Sequence, residues 1–273
     1  MSEPKDIFML ADSISNEQEL VKMDRNRYKA NIKYDGVRCM AMKKGEDLIL
    51  LGRRGSIMNK NFSEVVAELK QIKQDFMIDG EIISLDNDFT KLQSRALTKD
   101  AVKIRELEKK IPVKFMAFDV VKYGEVVVMN EPLRARLDYL NRLFKDNIFN
   151  HLEVVSYDDI DNMLSIAIES NGEGIVVKDM NAVYESKRSK NWYKYKLFKE
   201  TTLTITGFTE NNKGIRATDK DNNAVQIAGH HAQEVMRAME RNDGEAIINI
   251  QYLTQSKEGR YRFPSYRGLA NEN

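Results

Sequence analysis

The sequence predicts an α+β fold built in two parts, and three observations carry that expectation. Up to about residue 200, strand-like stretches of alternating apolar and polar residues exchange with helical runs whose apolar residues recur every three or four positions. From about Thr201 the texture changes to short β-rich segments separated by polar turns, with one helical run among them. With 273 residues, 42% of them hydrophobic and 31% charged, the chain has enough length and apolar content for two cores under a charged surface. The boundary is expected near Glu200, giving units of residues 1–200 and 201–273.

Each element follows from a local pattern. Tyr28, Ala30 and Ile32 alternate toward Lys33, and Val37, Cys39 and Ala41 alternate away from it, so two strands flank a turn at Asp35-Gly36. Gly36 suits a turn that needs either a positive φ or a close backbone approach. Phe62, Val65, Val66, Leu69 and Ile72 share one face of a helix over 62–73. Phe76 to Ser84 reads as strand, a polar helical stretch runs on to Lys110, and Val113 to Lys122 is strand again. Pro132, a favoured first-turn residue, opens a helix marked by Leu133, Leu137, Leu140 and Phe144. Ile160, Met163, Leu164, Ala167 and Ile168 mark another. Gly174 to Lys178 and Trp192 to Phe198 return to strand, and the basic cluster Lys187-Arg188-Ser189-Lys190 reads as a solvated loop. Beyond the boundary, strands at Thr202–Thr209, Asn223–Ile227, Ala246–Thr254 and Tyr261–Tyr266, with a helix at His231–Glu240, suit a small β-barrel of the oligonucleotide-binding type (OB-fold).

Composition removes several classes of function. Lys and Arg number 43 against 42 Asp and Glu, so a nucleic-acid partner is not advertised by bulk charge and any basic surface must be local. No apolar run reaches the length of a membrane span, and the N-terminus lacks the apolar region of a signal peptide. The single cysteine, Cys39, excludes a disulfide framework and a four-cysteine zinc site. Three histidines, two of them the adjacent His230 and His231, offer no metal-ligand spacing. A cytoplasmic monomer without membrane contact is expected.

The residues that carry chemistry recur in a fixed order. Lys33-Tyr34-Asp35-Gly36-Val37-Arg38 places an amine at the mouth of a sheet. Arg53 follows in Gly52-Arg53-Arg54-Gly55, then Asp79-Gly80-Glu81 inside an apolar strand, then Phe118 and Asp119 in another. Glu173-Gly174-Ile175-Val176-Val177-Lys178 and Trp192-Tyr193-Lys194-Tyr195-Lys196 complete the series. Taken singly, each has an ordinary explanation: a solvated lysine, a turn acid, a core phenylalanine, the wet face of a strand. Together they resemble the motif series of the ATP-dependent DNA ligases, members of the covalent nucleotidyltransferases, from about residue 25 to the C-terminus. Glu173 in its Glu-Gly-Ile-Val-Val-Lys setting resembles the ligase version of that motif, where capping enzymes tend to carry an aspartate, and the Trp192–Leu197 run is similar to compact ligases of small bacteriophages. Phe89, Leu92, Gln93 and Arg95 resemble a further ligase segment, F-x-x-L-Q-x-R.

That resemblance implies an ATP-grasp-like nucleotidyltransferase domain of antiparallel sheets and flanking helices, followed by an OB-fold that clamps DNA. It implies that Lys33 forms a covalent lysyl–AMP, that AMP passes to the 5′-phosphate of a nick, and that the 3′-hydroxyl then closes the strand. An ordinary lysine amine is neutral in only about one molecule per thousand near neutral pH. Cations at Lys194, Lys196 and Arg38, with a bound metal, would disfavour a further positive charge and neutralise charge building on the phosphate. The ATP site would comprise Asn31, Ile32, Lys33, Tyr34, Arg38, Arg53, Glu81, Phe118, Lys194 and Lys196, with Phe118 stacking on adenine. Glu173, with Glu81, would hold Mg²⁺ or Mn²⁺, since hard cations prefer oxygen. Arg53, Arg262 and Arg267 would contact nicked duplex DNA.

Two departures stand out: Asn31 occupies a position where many ligases carry glutamate, and Arg267-Gly268-Leu269-Ala270 stands near the place of the usual R-x-D-K. Only 32 residues precede Lys33, which favours ATP over NAD as the AMP donor and leaves no room for an extra N-terminal DNA-binding domain. An RNA ligase or mRNA-capping guanylyltransferase would share the lysyl–nucleotide chemistry. A non-catalytic nucleic-acid-binding module is the alternative of another class. Replication, repair and recombination roles, and host-cytoplasmic location if phage-encoded, are all compatible with the sequence.

Overall fold

Residues 7–145, 148–170, 172–256 and 259–270 are described in the computed structural model of the chain, which divides into two units, Met1–Tyr195 and Lys196–Asn273. In chain order the first unit contains β1 (Leu10–Ile14), α1 (Glu17–Val21), β2 (Tyr28–Ile32), β3 (Val37–Lys44), β4 (Asp47–Gly52), α2 (Ser63–Gln71), β5 (Phe76–Ser84) and α3 (Phe89–Leu97). It continues with α4 (Ala101–Lys110), β6 (Val113–Tyr123), β7 (Val126–Val127), α5 (Leu133–Phe144), β8 (Leu152–Val154), α6 (Ile160–Glu169), β9 (Gly174–Asp179) and β10 (Arg188–Lys196). These strands make two sheets, one of order β1-β10-β9-β2 and one of order β4-β3-β5-β6-β7 with β8 added beside β6.

The larger sheet is buried on both faces, which explains its long apolar runs. Cys39 and Ala41 of β3, Ile78 and Ile82 of β5, and Phe115 and Ala117 of β6 pack with Phe62, Val65 and Leu69 from the α2 region and Leu140 of α5. The alternate residues Met40, Met116 and Phe118 face a second core with Phe8, Met9, Tyr184 and Trp192, the last from β10 of the other sheet. Burying a leucine or phenylalanine this fully contributes roughly 1.5–3 kcal/mol each relative to exposure. Within this interior, Asp79 and Asp119 sit opposite one another on β5 and β6, and each is neutralised by its own arginine, Arg38 and Arg136. Unpaired, two such carboxylates would be strongly unfavourable.

Most expected elements of this unit are present, with four differences. The helical stretch before Lys110 is two helices, because Asp100 caps a new N-terminus by accepting from Val102 N and Lys103 N. The β2–β9, β3–β4, β3–β5, β5–β6 and β6–β7 pairs are antiparallel, whereas β1 runs parallel to β10 and β8 parallel to β6. Arg188, Ser189 and Lys190 are strand rather than loop; Leu10 and Ala11 of β1 pair with Arg188 and Ser189 from the far end of the chain. β1 and α1 themselves lie in a stretch that has no strong apolar period.

The second unit contains β11 (Lys199–Ile205), β12 (Gly207–Asn211), β13 (Gly214–Thr218), β14 (Ala224–Ala228), α7 (Gly229–Arg241), β15 (Ala246–Tyr252), β16 (Thr254–Gln255), β17 (Tyr261–Arg262) and β18 (Ser265–Leu269). β11-β15-β18 and β12-β13-β14 form two antiparallel three-stranded sheets, and β16 and β17 form a ribbon. Leu203, Ile205, Ile215, Val225, Ile227, Ile248 and Ile250 bury their inner faces against Val235 and Met239 of α7. The expected strand over Thr202–Thr209 breaks at Thr206, and that over Tyr261–Tyr266 breaks at Phe263-Pro264, where Phe263 adopts φ 52°. Among the described residues no ladder joins the two sheets, so the arrangement is a half-barrel rather than a closed one.

Candidate active site

The backbone N–H of Lys33 donates to Gly174 O at 2.9 Å, extending the β2–β9 ladder by one residue past Ile32 and Ile175. That register brings the side chain of Lys33 beside Glu173, and Lys33 Nζ donates to Glu173 Oε2 at 2.6 Å. The Glu173 side chain is only 6% exposed. Gly174 takes φ 140°, a conformation that other residues rarely adopt, as the chain passes from Glu173 into β9. Gly36 has a different reason to be glycine. A Cβ there would lie 2.3 Å from Ile82 O, so the turn after Lys33 presses directly onto β5.

On β3, Arg38 engages Asp79 through both Nε, at 3.0 Å, and Nη2, at 2.6 Å, while Nη2 also donates to Met9 O. Tyr184 Oη donates to the same Asp79 Oδ2 at 2.6 Å. Arg38 pairs across the sheet with Glu81, two residues beyond Asp79 on β5. Burial pushes the Glu81 carboxyl up to about 8; Lys33 and Arg38 pull it down, and Asp79 and Glu173 push it further up. Two carboxylates that repel one another across a cationic site are suited to sharing a divalent ion. Among the described residues no cage of three or more His, Cys, Asp or Glu exists, so any ion held by Glu81 and Glu173 must complete its shell from other oxygens. Magnesium bound by one or two carboxylates, substrate phosphates and water has that requirement.

Phe118 lies on β6, only 9% exposed, with its ring edge-to-face with Trp192 at 6.0 Å between centroids. The guanidinium carbon of Arg38 is 5.3 Å from the Phe118 ring centre and Lys178 Nζ is 4.4 Å from it. The structure therefore brings Lys33, Arg38, Glu81, Phe118 and Glu173 into one linked cluster in the first unit. Asn31 is buried nearby in sequence, its Nδ2 donating to Ile32 O and its Oδ1 lacking a protein partner. Ile32 and Tyr34 are half-buried, and burial raises the Tyr34 phenol. Arg53 is exposed in the turn after β4, and Lys194 stands opposite Ser13 at the end of β10. Lys196 belongs to the second unit, where its Nζ lies 5.0 Å from the Phe263 ring and the Arg262 guanidinium lies 5.6 Å from the same ring. Arg267 is exposed and hydrogen-bonded to Gln251 Oε1.

Several residues of this neighbourhood escape sequence reasoning. Asp79 stands in the Asp79-Gly80-Glu81 run without a role assigned to it, and Tyr184 and Tyr157 lie outside every run, although an acid at the centre of an apolar strand signals a buried cation opposite. Arg95, read within the F-x-x-L-Q-x-R segment, is a buried strut: it pairs with both oxygens of Glu64 and donates to Asn61 O and Ile111 O.

Residues 8–196 match the ATP dependent DNA ligase domain. The chain belongs to that family. Among curated relatives, it is 32% identical over 206 residues to the bifunctional non-homologous end joining protein LigD of Bacillus subtilis (strain 168), covering 68% of this chain and 34% of that protein. It is 30% identical over 203 residues to a DNA ligase of Saccharolobus islandicus (strain L.S.2.15 / Lassen #1), covering 69% and 33%. The chain thus spans about a third of the length of these relatives. A solved structure of a Lig E DNA ligase superposes with TM-score 0.69 at 18% identity over 96% of this chain and 98% of that one, a likeness of fold. The ligase-domain match covers the whole Lys33 cluster and stops at Lys196, so Arg262 and Arg267 lie beyond it.

Proposed function

We propose that this protein is an ATP-dependent DNA ligase that seals nicks in duplex DNA, and the observation that carries the reading is the Lys33 amine set 2.6 Å from Glu173 at the mouth of a sheet. Lys33 Nζ attacks the α-phosphorus of ATP; a P–N bond forms as the bond to pyrophosphate breaks, leaving lysyl–AMP. The 5′-phosphate of the nick then takes the AMP from Lys33, and the 3′-hydroxyl displaces AMP to make the phosphodiester. Glu173 holds the ammonium of Lys33 in place before attack, and the amine must shed one proton before it can react. Phe118 offers a face for adenine, a contact worth about 1–3 kcal/mol where base–aromatic stacking has been dissected. Glu81 suits the ribose hydroxyls, and a bound Mg²⁺, held by Glu173 and Glu81, would neutralise the phosphates. Lys194 and Lys196 are assigned to the phosphates, and Asn31, Ile32 and Tyr34 to the nucleoside. Arg38, engaged by Asp79 and Met9 O, lies against the Phe118 ring.

The first unit is assigned as the adenylyltransferase domain and the second as an OB-type clamp, with Arg53, Arg262 and Arg267 on DNA phosphates; such contacts position without reading sequence. The test is incubation with α-labelled ATP or GTP and Mg²⁺, followed by a nicked duplex or single-stranded RNA. Label should be retained from ATP, be absent in Lys33→Ala, and be followed by sealing of the nick. Label from GTP alone would favour a capping enzyme, and sealing of RNA alone an RNA ligase.

A further inference from the structure

Phe118 is one of two β6 residues that the β5–β6 ladder skips, the other being Val121. Asp79 pairs with Asp119 and Gly80 with Ala117, so Phe118 is the extra residue of a bulge. A bulge re-aims its side chain and leaves the extra residue outside the ladder. The Phe118 carbonyl is capped instead by Tyr157 Oη, which donates to it at 2.6 Å, and more weakly by Lys178 Nζ at 3.4 Å. Lys178 Nζ also donates to Tyr157 Oη at 2.6 Å. Three groups from β6, from β9 and from the segment before α6 thus close a triangle in which Lys178 is buried and Tyr157 half-buried. Lys178 is 1% exposed, and its ammonium lies 3.9 Å from the ring centre of Trp192 as well as against Phe118.

We propose that Tyr157 and Lys178 are positioning residues that hold the bulge presenting Phe118 to the nucleotide base, so that capture of ATP depends on them while bond formation at Lys33 does not. This rests on the ligase reading. Without the Tyr157 hydroxyl, a buried carbonyl at the bulge loses its short hydrogen bond and the aromatic platform loses its fixed aim. Lys178 adds a charge that can change near neutrality. Burial lowers its pKa to about 7, against the pull of Asp119 on β6 and Asp79 on β5 and with the push of Arg38 on β3 and Arg136 on α5.

The chain contains one tryptophan, Trp192, and it touches this lysine, so its emission reports on the support without reference to catalysis. Full-length Tyr157→Phe and Lys178→Met are compared with the wild type. Initial rates of lysyl–AMP formation are measured against ATP concentration, and tryptophan emission is measured across neutral pH. We expect each variant to raise KM for ATP about ten-fold while kcat stays within about two-fold, the signature of lost ground-state positioning. We also expect wild-type emission to titrate near neutrality and Lys178→Met emission not to. An unchanged KM in both variants, a fall in kcat at constant KM, or an emission titration that survives Lys178→Met would overturn the proposal. Should Tyr157→Phe not fold, Lys178→Met decides by both readouts. Absence of any adduct in the wild type would count against the ligase reading, and the emission titration would still decide whether Lys178 is the group that titrates beneath the platform.

Discussion

Arg38 sits five residues after Lys33 in a position that suggests phosphate binding, yet in the folded chain its guanidinium is taken up by Asp79, Met9 O and the Phe118 and Trp192 rings. Its energetic weight therefore lies in a buried pair. Asp79→Asn should destabilise the chain by about 3–5 kcal/mol in denaturant unfolding, because it strands a buried guanidinium. Replacing both partners, as Arg38→Met with Asp79→Leu, should cost clearly less than the single change; a larger loss would show that the pair itself is net stabilising. Glu81 makes a second prediction at this scale. Its folded pKa of about 8 lies above the ordinary 4.5, so the folded chain binds that proton more tightly than the unfolded chain between those values. The resulting stability is present at low pH and is lost as pH rises through about 8. Glu81→Gln should therefore flatten the decline in unfolding free energy from about pH 5 to 8, and an unaltered slope would mean that the carboxyl titrates normally.

Elements were legible where one short stretch carries its own pattern. β5 begins and ends at Phe76 and Ser84, as its strand-like run predicts, and α7 covers the helical stretch expected over His231–Glu240. β1 and the start of β10 were illegible because they pair with one another across 178 residues, Leu10 with Arg188, and no local pattern carries that partnership. The same division runs through the candidate site. Lys33, Glu81, Phe118 and Glu173 can be read from motifs, whereas Asp79, Tyr157 and Lys178 matter through partners that no local pattern specifies. Gly36 lies between these cases, since the sequence left open a positive φ or a close approach, and the structure supplies the close approach to Ile82 O and Glu81 Cγ. Gly36→Ala must push β3 away from β5 or reshape the turn that carries Lys33. A cost of about 1–3 kcal/mol in thermal unfolding is expected, typical of forced overpacking, with slower adduct formation. Wild-type stability and adduct rate in this variant would mean that the turn has room to yield.

For the whole molecule, no helix among the described residues is long and apolar enough to cross a membrane, and a net charge of +1 supplies no general attraction for DNA. If nicked duplex is the substrate, its phosphates must be met by a few local cations, and Arg262 and Arg267 in the second unit are the assigned ones. Such binding releases counterions, so affinity should fall linearly with salt on logarithmic axes, by a slope of about 0.9 per phosphate neutralised. Arg262→Ala and Arg267→Ala should each weaken nick binding and reduce that slope by about one. Both residues belong to the second unit and neither is assigned to the nucleotide, so lysyl–AMP formation should persist while sealing declines. Binding isotherms at a series of salt concentrations, run beside adduct labelling, separate the two effects. Loss of adduct with an unchanged salt slope would move these arginines from the DNA to the nucleotide, and with them the division of labour assigned to the two units.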